Sequence, residues 1–117
     1  MPRALIVEDD PAIRKLMEKL LTRRKIEIDS APDGKHAIEK LAHGKYSVII
    51  LDLMVPELDG FGIIDYVKRN QIDAPVAVVS AVSQQALTNL DLDIVKVVIS
   101  KPFDVDEFTK AIVGLMS

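Results

Sequence analysis

The stretch Ala4-Leu5-Ile6-Val7-Glu8-Asp9-Asp10-Pro11 decides the fold class. Four apolar residues in a row fit a strand covered on both faces, because a strand with one wet face alternates. Three acids end the strand. Pro11 then suits the first turn of a helix and Asp10 its cap, and Ile13, Leu16, Met17, Leu20 and Leu21 follow at helical spacing. This strand-then-helix grammar repeats outward along the chain. Further strand-like runs lie at 26–30, 47–51, 76–80 and 97–100. All but the first of these are nearly continuous in Val, Ile, Leu and Ala, and so read as covered on both faces. Ile26-Glu27-Ile28-Asp29 alternates, which predicts an edge strand with one wet face.

Helical patterns fill the intervals. Ala37, Ile38, Leu41 and Ala42 follow Asp33-Gly34, while Phe61, Ile64 and Val67 mark a third helix and a weaker fourth spans 83–90. In the last helix Asp104 is a cap, Asp106 and Glu107 fill the first turn, and Val105, Phe108, Ile112 and Leu115 form an apolar stripe. Strict alternation predicts an α/β fold, a doubly wound five-stranded parallel sheet with helices on both faces. Right-handed crossovers place every strand's C-terminal end at one edge. The common order is 2-1-3-4-5, with ligands bound where the winding reverses, between the first and third strands.

Composition narrows the class. The 117 residues suit one domain, 1–117, and 49% apolar with 28% charged residues excludes a disordered chain. Fifteen basic against 18 acidic residues leave a net charge of -3, which disfavours a direct nucleic-acid binder. The absence of cysteine removes thiol nucleophiles, cysteine metal sites and disulfides. The start is too brief for a signal peptide, and no apolar run approaches membrane-spanning length. The expectation is a soluble, cytoplasmic, single-domain protein with no membrane partner.

The strand ends then carry the chemistry. The first strand ends in Glu8-Asp9-Asp10, the third in Asp52, the fourth in Ser80 and the fifth in Lys101-Pro102. Carboxylates crowded there repel by roughly 4 kcal/mol per pair at about 4 Å and an effective dielectric near 20. A raised pKa, the lysine or a divalent cation must answer that repulsion. Oxygen donors without histidine or cysteine favour a hard ion such as Mg²⁺ (or Mn²⁺). The plainer reading is capping by Asp10, with Glu8 or Asp9 merely solvated. It explains one acidic strand end but not two beside a lysine from a third. An aspartate beside Mg²⁺ and a lysine can act as a nucleophile toward phosphorus, giving an acyl phosphate.

Several pieces taken together resemble the receiver domain of two-component response regulators over essentially the full length. They are Leu5-Ile6-Val7-Glu8-Asp9-Asp10, Ala31-Pro32-Asp33-Gly34 with Ala37, Leu51-Asp52-Leu53-Met54-Val55-Pro56 leading to Asp59-Gly60, Val79-Ser80-Ala81 and Lys101-Pro102-Phe103. The resemblance, to a chemotaxis-type receiver that either stands alone or is cut from a longer protein, implies the flavodoxin-like fold and a phosphorylation switch rather than an enzyme acting on other substrates. It implies Asp52 as phosphoacceptor, Asp9 as direct metal ligand, Glu8 as a ligand through water and the Met54 backbone carbonyl as a third metal contact. Ser80 corresponds to the hydroxyl that turns to the phosphoryl group. Lys101 pairs with the carboxylates and then with the phosphoryl oxygens, and cis-Pro102 supports its loop. The implied partners are a histidine kinase or histidine-phosphotransfer protein and, through a face of the fourth helix, fifth strand and fifth helix, a downstream protein or the chain's own output domain.

Two departures stand out. Val98 occupies the place where the family usually has an aromatic, and Leu90–Lys96 lacks the usual Gly-Ala before the fifth strand. The resemblance also implies that the positions two after the phosphoacceptor and two after the switch hydroxyl flank the path of the hydrolytic water. Here they are Met54 and Val82, both apolar, so the phosphorylated state is expected to be long-lived. Competing classes read less well. An aspartyl-nucleophile phosphatase wants an acid where Met54 stands. A flavin carrier wants a hydroxyl-rich first loop and aromatics, against 4% aromatic residues and an acidic loop here. A pseudo-receiver that only binds proteins has no use for the complete acidic set. Gly60 and Gly62 read as turn and helix-start residues, His36 and His43 as solvated, and Lys15, Lys19, Arg23 and Arg24 as a basic face of the first helix.

Overall fold

Side-chain caps start the helices where the sequence places them. The Asp10 carboxylate accepts the N–H groups of Ala12 and Ile13 at 2.9 and 3.2 Å, opening α1 (Pro11–Thr22). Asp33 caps α2 (Gly34–His43) and Asp59 caps α3 (Gly60–Arg69). Ser83 opens α4 (Gln84–Leu87), and Asp104 accepts the N–H groups of Asp106 and Glu107, both at 2.9 Å, at the start of α5 (Val105–Met116). The strands between them are β1 (Arg3–Val7), β2 (Glu27–Ala31), β3 (Val48–Leu51), β4 (Val76–Ser80) and β5 (Val95–Ser100). The computed structural model describes residues 2–116.

All four strand pairs are parallel, in the order β2-β1-β3-β4-β5. Alternate residues of each central strand enter two separate cores. Leu5, Val7, Ile49, Leu51 and Val78 pack with α2 and α3, whereas Ala4, Ile6, Ile50, Ala77 and Val79 pack under Met17 and Leu21 of α1 and Phe108 and Ile112 of α5. Both faces of the central strands are therefore dry, as their continuous apolar runs require.

The structure corrects several local expectations. β5 is not covered on both faces: Val95 and Ile99 are buried, but Lys96, Val98 and Ser100 are exposed. It lies at the second edge of the sheet, and the helix before it is short. That helix, α4, ends at Leu87 rather than near residue 90. There the N–H groups of Asn89 and Leu90 bond three residues back, tightening the chain out of the helix, and the Thr88 hydroxyl donates to the Gln85 carbonyl. Val105 does not join the apolar stripe of α5. It is the first residue of that helix and stands exposed, leaving Phe108 and Ile112 to carry the packing.

Candidate functional site

The strand register builds the site. Val7 lies opposite Leu51, so the next residues, Glu8 and Asp52, emerge side by side at the sheet's C-terminal edge. Their backbones extend the ladder beyond the regular strands: Asp52 N–H donates to the Val7 carbonyl at 3.0 Å and Glu8 N–H to Ala31 at 3.1 Å. Lys101 N–H donates in the same way to the Ser80 carbonyl at 3.1 Å, just before a cis Lys101–Pro102 peptide.

Four strand ends thus converge on one carboxylate. The Lys101 ammonium donates to Asp52 Oδ2 at 2.8 Å and to Glu8 Oε1 at 2.5 Å. Asp52 Oδ1 accepts the Ser80 hydroxyl at 2.8 Å and the Met54 N–H at 3.0 Å. Among the described residues, Glu8 Oε2 accepts only the Asp10 N–H, at 3.2 Å. Glu8 and Asp52 are buried, whereas Asp9 is exposed at the mouth.

These contacts explain opposite electrostatics in two neighbouring acids. Burial pushes the Asp52 carboxyl up, but the lysine, the Met54 N–H and the Ser80 hydroxyl outweigh it and hold the group below its ordinary value. Glu8 has fewer donors, so burial wins and its carboxyl is raised. For Lys101, burial alone would lower the ammonium, but the two carboxylates prevail and raise it. The most readily ionised member of the pair is the more richly donated one, Asp52. It is held as a carboxylate by the same groups that would meet a transferred anion.

Glu8, Asp9 and Asp52 each offer a carboxylate oxygen, all within 4.8 Å of one another. An all-oxygen acidic set fits a hard divalent cation. Asp10 does not join them, because its carboxylate is spent on the cap. The capping reading therefore holds for Asp10, while Glu8 is buried in the site rather than solvated.

The remaining sequence candidates lie as follows. Met54 is 69% exposed, and Val82 is half-buried against the core beneath α2 and α3. Val98 is exposed on β5. His36 and His43 are exposed but hydrogen-bonded, through their Nδ1 atoms, to the Asp33 carboxylate and the Glu39 carbonyl. Gly60 starts α3 as expected, pressed so near Leu53 that an added Cβ would lie 2.6 Å from its Cα. Two contacts were not foreseen from sequence. Arg14 Nη1 donates to the Glu8 carbonyl at 2.8 Å, fixing the acidic loop from α1, and Met54 contributes an N–H donor as well as the expected carbonyl. An arginine one turn into the helix after the acids was the available signal for the first.

A family model for the response regulator receiver domain matches residues 4–113. The chain belongs to this family. The receiver is 32% identical over 107 residues to the transcriptional regulatory protein TcrA of Mycobacterium tuberculosis, covering 90% of the chain and 42% of that protein. It is 30% identical over 118 residues to the response regulator ArlR of Staphylococcus saprophyticus, covering 99% of the chain and 53% of that protein. The chain thus spans about half the length of the curated relatives it matches. Among solved structures, the response regulator TrrA of Thermotoga maritima, in complex with Mg²⁺ and BeF, superposes with a TM-score of 0.87 at 29% identity over 98% of this receiver and 99% of that chain. Among the described residues no helix is long and apolar enough to cross a membrane.

Proposed function

We propose that this receiver accepts a phosphoryl group on Asp52 and works as a phosphorylation-dependent signalling switch in the cytoplasm. The observation that carries the reading is the set of donors, Lys101 Nζ, Ser80 Oγ and the Met54 N–H, gathered on one buried carboxylate. An Asp52 oxygen attacks the phosphorus of a phosphohistidine on a histidine kinase or phosphotransfer protein. A P–O bond forms, the P–N bond breaks, and the nitrogen keeps the electron pair. Lys101 exchanges its Asp52 contact for a phosphoryl oxygen, and the Ser80 hydroxyl turns to another. Asp9 and Asp52 directly, Glu8 through water and the Met54 carbonyl would hold Mg²⁺ (or Mn²⁺). When bound, the ion supplies charge neutralisation for the transferring group. Incubation with a small phosphodonor and Mg²⁺ should label the peptide that contains Asp52, and chelation should abolish the label. Full labelling in chelator would exclude the metal role.

The readout is assigned to α4, β5 and α5, which would meet a downstream protein or the chain's own output domain. Val98 has no polar-tipped ring to swing between buried and exposed positions, so Ser80 and the loop after it should carry the change. Amide shifts on adding a phosphoryl mimic should centre on that loop, α4, β5 and α5. Shifts confined to α1 and α2 would contradict the assignment.

The phosphorylated state should be long-lived. Neither Met54 nor Val82 can orient the in-line water by a hydrogen bond. Placing Asn at position 54 with Glu at position 82 should speed decay by about tenfold, short of the larger gains of a true general base. Because Val82 is half-buried against the core and Met54 is exposed, the first change should carry most of the gain. Unchanged decay of the acyl phosphate would show that side-chain control of water is not limiting.

A further inference from the structure

We propose that Gly34 is a positioning residue for phosphoryl transfer: the first turn of α2 is the wall against which the loop carrying Met54 is set. The inference rests on the reading of Asp52 as phosphoacceptor. It arises from a contact between two segments that the chemistry of the site does not itself use.

Residues 54–59 connect β3 to α3 and are pinned at several points. At one end the Met54 N–H donates to Asp52 Oδ1. At the other, Gly60 N–H reaches back to the Leu53 carbonyl at 3.0 Å, and the Asp59 carboxylate accepts Gly62 N–H at 3.0 Å. Between them the Gly34 N–H donates to the Pro56 carbonyl at 3.0 Å, joining α2 to the middle of the loop. Glu57 turns the chain there with a φ of 73°.

Leu58 then fills the space between two glycines. A Cβ on Gly34 would fall on the Leu58 carbonyl oxygen, 2.6 Å from its carbonyl carbon and 2.7 Å from its Cβ. On the far side, a Cβ on Gly62 would stand 2.8 Å from Leu58 Cγ. The obstruction at Gly34 is backbone, which cannot swing aside as a side-chain tip does. Any residue but glycine at 34 must therefore push the loop off α2. Few residues separate Leu58 from Met54, so the displacement reaches the N–H that holds Asp52 and the carbonyl assigned to the metal. Misplacement of such groups by about 1 Å is enough to slow a reaction severely.

Gly34→Ala tests this, with Gly114→Ala as the control, since a Cβ on Gly114 of α5 meets nothing within 4 Å. The measurements are the amide resonances of Met54 and Val55, half-saturation by Mg²⁺ followed on those resonances, and the labelling rate with a small phosphodonor. Gly34→Ala should keep a cooperative unfolding transition, shift both amides, weaken Mg²⁺ binding and slow labelling by about tenfold or more. Gly114→Ala should leave all three at the parent values. Unmoved amides with parental labelling in Gly34→Ala would overturn the proposal. A parent that is never labelled would refute Asp52 as acceptor, while the amide and Mg²⁺ readouts still decide Gly34. Should Gly34→Ala fail to fold, Leu58→Ala loosens the same loop from its other side, by removing the side chain seated over Gly62 while the backbone contact with Gly34 stays in place. It should shift the Met54 amide and slow labelling, and parental behaviour there would count equally against the inference.

Discussion

Asp52→Asn should take up no phosphoryl group from a phosphorylated kinase or from a small phosphodonor. The loss should be complete rather than partial, because the substitution removes the nucleophilic oxygen itself. The fold should survive. The Asn side-chain oxygen can still accept the Ser80 hydroxyl and the Met54 N–H, and Lys101 keeps its contact with Glu8. Unaltered thermal unfolding beside absent labelling would therefore separate chemistry from stability. Persistent labelling of the variant would sink the assignment, since Glu8 or Asp9 would then have to be the acceptor.

Replacing Lys101 by Met should have the largest effect on stability. The lysine is the shared cation between two buried carboxylates, Glu8 and Asp52. Methionine keeps most of the stem's volume but leaves both acids facing each other without a counter-charge. Breaking a buried pair in this way costs about 3–5 kcal/mol. The pH dependence has a definite sign. With the cation gone, one of the two acids holds a proton in the folded state at a pH where the unfolded chain has released it. A folded-state value raised in this manner favours folding below the ordinary carboxylate range and disfavours it as pH rises. The deficit against the parent should thus be large at pH 7 in chelator and shrink on acidification. Mg²⁺ should recover part of it by binding the same carboxylates. Phosphoryl uptake should also fall by roughly 10²–10³-fold, as for loss of one preorganised donor to a developing charge. Denaturation midpoints equal to the parent's at pH 7 without metal would show that the ion pair contributes nothing net.

Much of this was legible before any coordinates. Leu5-Ile6-Val7 and Val76–Ser80 read as doubly covered strands because both faces of a parallel sheet are dry, which leaves a continuous apolar run. Asp10 and Asp104 read as helix caps because a short carboxylate answers free N–H groups two or three residues ahead, and the structure adds Asp33 and Asp59 in the same role. Topology then placed Glu8, Asp52, Ser80 and Lys101 at one edge, which is where they stand.

Other features depend on what meets across space, and no local pattern encodes that. Val97-Val98-Ile99 looks as apolar as a central strand, but β5 is an edge and α4 stops at Leu87, so Val98 faces solvent. Glu8, Asp9 and Asp10 are three acids in a row, and beyond the capping role of Asp10 nothing local says that Glu8 is buried against a lysine while Asp9 stays exposed. Gly34 read only as the residue before a helical pattern, whereas its backbone supports a loop more than 20 residues onward in the chain. Residue order alone accounts for the alternation of strands and helices, the caps at Asp10 and Asp104, and the gathering of acids, hydroxyl and lysine at one edge. Those follow from side-chain periodicity and from the handedness of the crossovers, which act on every segment alike. Which acid is buried, which donors reach Asp52 and what holds the loop of Met54 are set only in the folded chain. Each of those depends on the distance between residues far apart in sequence, which is set when the sheet takes its register and the helices close over it.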